Sequence, residues 1–205
     1  MNKSTLLCLL VITALTFVVT TTGTVIADDA IAEWTVDKER SSISFTSDAP
    51  AEKIVGTSEE VSGTIHWNTV RTSQTTAELS FPVDSMRTGN RLRDRHLTEE
   101  DWLNASEHPE VRFTVTGLED VLVARSENRT DYRATAVGTV ELNGVEHPNR
   151  ASIEVAILPE RKVARIRPKL EFRLADHEVR GADGAVGSEV GKVIEVEGLI
   201  YANWE

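Results

Sequence analysis

The sequence predicts an all-β protein of about eight antiparallel strands carrying one short helical insertion. Three observations lead there. Apolar and polar residues alternate through most of the chain, and the breaks between runs are short and rich in Gly, Asn and Pro. A single stretch, Ser85 to Val115, abandons the alternation and gathers Arg, Asp, His and Trp. The pattern alone fits either a barrel or a sandwich.

The chain opens with Lys3, an apolar run through Val19, and Val25-Ile26-Ala27 ahead of Asp28-Asp29. That order is the pattern of a secretory leader. The run from Leu6 to Val19 is short of the ~20 residues that span a bilayer, and Thr20 to Thr24 interrupts it. The expectation is therefore a leader over residues 1–27, cleaved on export to the periplasm or beyond, and a mature domain over 28–205. The only cysteine, Cys8, leaves with the leader, which excludes disulfides and a thiol nucleophile from the mature protein. Losing Lys3 moves the net charge from −11 to −12. Such acidity argues against nucleic-acid partners and against general adhesion to anionic bilayers, and no stable membrane insertion is expected once the leader is gone.

The strands follow in order. Ile43 and Phe45 share a face, as do Val61, Gly63, Ile65 and Trp67. Ala77 to Val83 alternates, placing Leu79 and Phe81 on one side. After the insertion come Val111, Phe113 and Val115, then Ala134, Ala136, Gly138, Val140 and Leu142. Asn143-Gly144 is the clearest hairpin signal. Ile153, Val155 and Ile157 precede a strand with Ala164, Ile166, Leu170, Phe172 and Leu174 on its apolar side and Arg165, Arg167, Lys169 and Arg173 on the other. Those cations suit either cross-strand pairs with Glu195 and Glu197 or an anionic partner, and the cross-strand pairs are preferred. The final strand presents Ile194, Val196, Gly198, Ile200, Ala202 and Trp204. Small inward residues such as Gly138 imply either space for a cavity or close backbone contact.

In the insertion, Asn90 reads as the N-cap of a helix from Arg91 to Leu97. Thr98 reads as a second N-cap, with Glu99, Glu100 and Asp101 in the first turn and a staple between Leu97 and Trp102. Pro109 ends the excursion. The expected result is a flap of two short helices with Leu92, Leu97, Trp102 and Leu103 turned towards apolar surface.

The run Thr88-Gly89-Asn90, Arg93-Asp94, His96-Leu97, then Asp101-Trp102-Leu103 and His108-Pro109-Glu110-Val111-Arg112-Phe113, resembles the signature of the YceI-like, polyisoprenoid-binding family. The resemblance extends from Trp34-Thr35-Val36-Asp37 to the end of the chain. It implies an antiparallel, lipocalin-like barrel of about eight strands that encloses an isoprenoid chain. It therefore selects the barrel over the sandwich, in a typically exported protein.

The expected ligand-lining residues are Phe45, Trp67, Leu79, Phe81, Leu97, Trp102, Phe113, Val140 and Phe172, each on the apolar side of its element. Arg93, Asp94 and His96 form the expected polar mouth, with Arg93 and Asp94 paired to pin the flap. Replacing Gly138 by Trp is expected to fill the cavity. No catalytic residue and no metal site is expected. Asp94 and His96 stand two apart on a helix and do not face one another, and no serine elbow, phosphate loop or zinc-spaced histidine pair occurs. No cofactor is expected beyond a bound isoprenoid-like lipid, the partner is a hydrophobic small molecule, and a homodimer is left open. The chain departs from the resemblance near its end: where many members have Asp-Phe-Gly, it reads Asp176-His177-Glu178. That points to a different apolar or amphiphilic ligand in the same fold. The alternative function is an envelope stress-related protein, or a hydrolase-like enzyme acting on a small amphiphile.

Overall fold

The computed structural model describes residues 31–49, 52–183 and 190–205; the leader expected over residues 1–27 lies outside them. Ten strand segments form one antiparallel sheet: β1 (Ile31–Val36), β2 (Ser42–Asp48), β3 (Lys53–Ser58), β4 (Ser62–Asn68), β5 (Thr76–Pro82), β6 (Glu110–Ser126), β7 (Arg129–Leu142), β8 (Val145–Leu158), β9 (Val163–Arg173) and β10 (Val193–Asn203). Helix α1 (Arg91–Leu97) lies between β5 and β6.

The ten segments follow eight strand paths. β1 pairs with β4 and β2 with β3, while β10 pairs with both β2 and β1 along one edge. β1 and β2 are thus two halves of one stave broken at residues 37–41, and β3 and β4 are halves of the next, broken at 59–61. From there each strand pairs with its successor through β10, and β10 pairs back to β1. The sheet closes into an eight-stave, up-and-down barrel. β1 and β3 carry little long-range periodicity of their own, which is why alternation alone does not reveal them.

The end of the barrel formed by β1, β4 and the strand ends beside them is filled. Trp34 stacks between Trp67 and Trp204 at centroid distances of 4.9 and 5.1 Å, and Tyr132 meets Trp67 edge-on at 4.9 Å. Each such contact contributes about 0.5–1.5 kcal/mol beyond burial. Ala164 and Ala202, cross-strand partners with no exposed surface, leave room for the rings.

Two inward glycines serve close packing, not cavity volume. A Cβ on Gly138 would lie 1.8 Å from the Thr114 carbonyl oxygen, and one on Gly63 would lie 2.1 Å from that of Glu78. The β6–β7 ladder shifts register between Val115 and Gly117, next to the Val115–Gly138 pair, and again between Glu119 and Leu122. The expectation that Gly138→Trp simply fills the cavity is therefore corrected: the side chain has no path past the β6 backbone.

The flap is half as expected. Asn90 caps α1, its side-chain oxygen accepting the N–H groups of Leu92 (3.0 Å) and Arg93 (3.3 Å). The second helix does not form. Thr98 is the C-cap of α1, and Trp102 and Leu103 return their N–H groups to the Glu99 and Leu97 carbonyls as turns. Asn104 then takes a left-handed φ of 46° and reverses the chain. Two elements clamp this turn region. The Trp102 ring rests on Gly181, whose N–H donates to the Asp101 carbonyl, and the His108 ring rests on Gly144 of the β7–β8 hairpin.

Candidate functional site

Above the aromatic plug the barrel is hollow. The larger chamber encloses about 360 Å³ between the upper staves and the flap. β2 and β3 supply Ile43, Phe45 and Ile54, and β5 and β6 supply Phe81, Val111 and Phe113. Leu142, Phe172, Ile194 and Val196 complete the wall, and Leu97, Trp102 and Leu103 of the flap form the roof. Alternation explains this: each strand residue occupies an inward register position, and its neighbours face solvent. A smaller space of about 100 Å³ lies below, walled by Trp34, Trp67, Leu79, Val140 and others. Ile43, Phe81, Phe113 and Val196 border both spaces. Phe81 and Phe113 stack at 6.1 Å there, so a waist of two phenylalanines separates an upper chamber from a lower pocket.

The expected residues therefore divide. Phe45, Leu97, Trp102 and Phe172 line the upper chamber; Trp67, Leu79 and Val140 line the lower one; Phe81 and Phe113 belong to both. Arg93 and His96 reach the mouth, but Asp94 does not line it. The expected Arg93–Asp94 pair is replaced by two separate anchors. Arg93 Nη2 donates to Glu52 Oε1 at 2.5 Å, tying α1 to the start of β3. Asp94 Oδ1 accepts both the backbone N–H (2.7 Å) and the hydroxyl (2.6 Å) of Thr88, fixing the approach to the helix. Helical geometry accounts for the difference, because successive residues project about 100° apart and cannot share a partner face.

Several lining residues have no strong sequence signal. Ile54 lies on the short β3, while Met86 and Thr88 sit in turns; Leu174, expected at the end of a strand, begins the turn after β9. Leu92, 54% exposed, stands at the rim, not under the flap. Glu52 has no marker in the sequence beyond its charge.

Behind the wall lies His177, wholly buried in the turn after β9. Its ring meets the edge of Phe172 at 5.2 Å and His147 at 5.9 Å. Nδ1 carries the proton, because it faces the Val145 carbonyl oxygen at 2.9 Å; Nε2 is buried without a partner. Burial holds this imidazole below its ordinary value, and the neighbouring His147 adds to the effect. Glu178, next in the chain, adopts φ 54°, a conformation that favours glycine. Among the described residues no cluster of three His, Cys, Asp or Glu side chains is arranged to hold a metal.

Comparison with known proteins agrees with this architecture. A model of the YceI-like domain matches residues 34–200. Protein YceI of Salmonella newport is 25% identical over 188 residues, covering 87% of this chain and 91% of that one. Protein YceI of Escherichia coli is 24% identical over 152 residues, covering 71% and 74%. Among solved structures, Burkholderia cenocepacia BcnA superposes with a TM-score of 0.67 at 17% identity, over 82% of this chain and 99% of its own. A polyisoprenoid binding domain from Saccharophagus degradans gives 0.63 at 16% identity, over 85% and 99%. The structural likenesses establish the barrel, the domain match establishes the lineage, and the chain belongs to the YceI-like family.

Proposed function

We propose that this protein is an exported carrier that holds one slender apolar molecule, of the polyisoprenoid class, inside the barrel without covalent chemistry. The carrying observation is the chamber itself: about 360 Å³, apolar along its length and polar only at the mouth. That volume is near the lower end of small-molecule pockets, roughly 300–1,000 Å³. It suits a single unbranched path, with the chain end passing the Phe81–Phe113 waist towards the lower pocket. Burial there yields about 25 cal/mol per Å² of apolar surface. The family membership and the polyisoprenoid-binding name of the Saccharophagus domain support the same ligand class.

A binding role is favoured over catalysis by how the charged groups of α1 are engaged. Arg93, at the mouth, is held by Glu52, and Asp94, which lies off the mouth, is held by Thr88, so neither is poised for proton transfer. The test is a titration with a polyprenyl alcohol, with Val196→Trp as the blocked variant. Val196 borders both spaces, and an indole there closes the waist. The expected result is binding with a negative heat-capacity change in the parent, and loss of binding in a variant whose circular dichroism is unchanged. Equal affinity in the folded variant would place the ligand outside the barrel. Mass spectrometry of an organic extract from native-source protein then identifies the bound molecule.

A further inference from the structure

The cations on the outer face of β9 do not behave as a set. Lys169 reaches Glu197 at 2.9 Å, the cross-strand pair that the sequence suggests. Among the described residues, Arg165 and Arg167 make no ion pair or side-chain hydrogen bond. Together with Arg129 and Arg133 they rim an outward concavity of about 440 Å³ across β6–β9, at the end opposite the flap. The register explains the grouping. Arg133 lies beside Glu154 and Glu154 beside Arg167, while Asp131, Ala156 and Arg165 form the next row. Arg133 is paired with Glu154, and Arg129 with Asp131, so the unspent charge belongs to Arg165 and Arg167.

The apolar side of this surface is equally unusual. Leu122 and Val123, on the rim where the β6–β7 hairpin projects, are 68% and 41% exposed. Ile31, where β1 begins, and Val70, in the loop after β4, are exposed as well. The β8–β9 turn adds Arg161 and Lys162, and residues 159–169 hold five basic side chains against one acidic in a chain of net charge −11. Exposed aliphatic tips set among cations match the interface of an anionic bilayer, where apolar side chains enter the headgroup layer and guanidinium groups meet phosphates. A nucleic acid offers the phosphates without an apolar layer, and the acidity of the remaining surface opposes a long polyanion.

We propose that this end of the barrel docks on an anionic phospholipid surface through Arg165, Arg167 and Leu122, with the mouth directed away from the bilayer. The inference stands whatever the chamber holds, because it uses none of the chamber's residues.

The experiment is co-sedimentation of residues 28–205 with two kinds of vesicle, phosphatidylcholine alone and phosphatidylcholine with phosphatidylglycerol in equal parts. Binding to the anionic vesicles only, weakening as salt is raised, is expected. Arg165→Ala with Arg167→Ala should lower the partition coefficient about 30-fold, taking each cation near the surface at the usual contribution. Arg180→Ala, an exposed cation at the flap end, should leave it unchanged, and circular dichroism confirms that each variant is folded. No binding to either vesicle, equal binding to both, or an unaffected double variant overturns the proposal. So does docking that survives the double variant but is lost in Arg180→Ala, since the protein would then approach the bilayer mouth first.

Discussion

The indole of Trp102 lies directly on the backbone of Gly181, so close that a Cβ there would sit 2.4 Å from the ring. This contact ties the roof of the chamber to the turn after β9. Gly181→Ala should push the ring off its seat and destabilise the fold by about 1–3 kcal/mol, the usual range for overpacking. Trp102→Ala should cost roughly 2–3 kcal/mol, less than a fully buried ring because Trp102 is half-buried. Urea unfolding measures both. If both variants unfold like the parent, the roof is not held by this contact.

Gly138 offers a sharper test of the barrel's construction. Its missing Cβ is what lets β7 approach the Thr114 carbonyl. Gly138→Ala should therefore destabilise by about 1–3 kcal/mol despite adding only a methyl group. Ala136→Gly, at a buried position of the same strand, tests the opposite change and should cost roughly 1 kcal/mol from backbone entropy. Thermal melts of the pair distinguish a clash from a general intolerance of the strand.

His177 gives the protein a pH dependence whose sign is fixed by its burial. The folded state holds the imidazole neutral, with its pKa lowered from the ordinary 6.5, so the unfolded chain binds the extra proton more readily. The contribution of His177 is fully present above about pH 6.5 and is lost as pH falls towards the lower folded value. His147 opposes protonation and Asp176 favours it. His177→Phe keeps the ring against Phe172 and removes the titration. Its stability, followed by urea unfolding from pH 8 to 5, should fall less steeply than that of the parent.

Glu52 neutralises Arg93 at the mouth, which bears on the kind of headgroup accepted. Glu52→Gln should change stability by no more than about 1 kcal/mol, because the pair is largely exposed. The same substitution frees Arg93, and affinity for a prenyl phosphate should rise relative to the corresponding alcohol. Parallel titrations with the two ligands check this; an unchanged ratio means the headgroup does not meet Arg93.

Much of the barrel was legible in the chain because one physical rule repeats: a stave wet on one side and dry on the other must alternate. Val140, Phe113 and Phe172 could be assigned inward from that rule alone. Helix α1 was legible because Asn90 supplies a cap that needs no tertiary context. What stayed hidden depends on partners distant in sequence. Glu52 is 41 residues from Arg93, and the seat of Trp102 is a glycine nearly 80 residues further on. The expected second helix failed for the same reason, since the fold clamps residues 98–108 from two sides and satisfies their N–H groups in turns. Gly138 was ambiguous in the sequence, and only the position of the Thr114 carbonyl resolves it.

The broken staves leave a mark on how the wall holds together. β4 has ladder partners on both edges, whereas among the described residues the outer edge of β3 is met only by the single bridge between Thr57 and Arg87. One long seam therefore runs down the upper wall beside the flap, where two backbone hydrogen bonds of 2.9 Å take the place of a ladder. Local opening costs least where a strand has fewest neighbours. Amide hydrogens of β3 should exchange with solvent well before those of β4, although the two are consecutive parts of one stave. The upper wall can thus loosen while the tryptophan base stays shut, as a purse opens at its clasp without coming apart at the bottom.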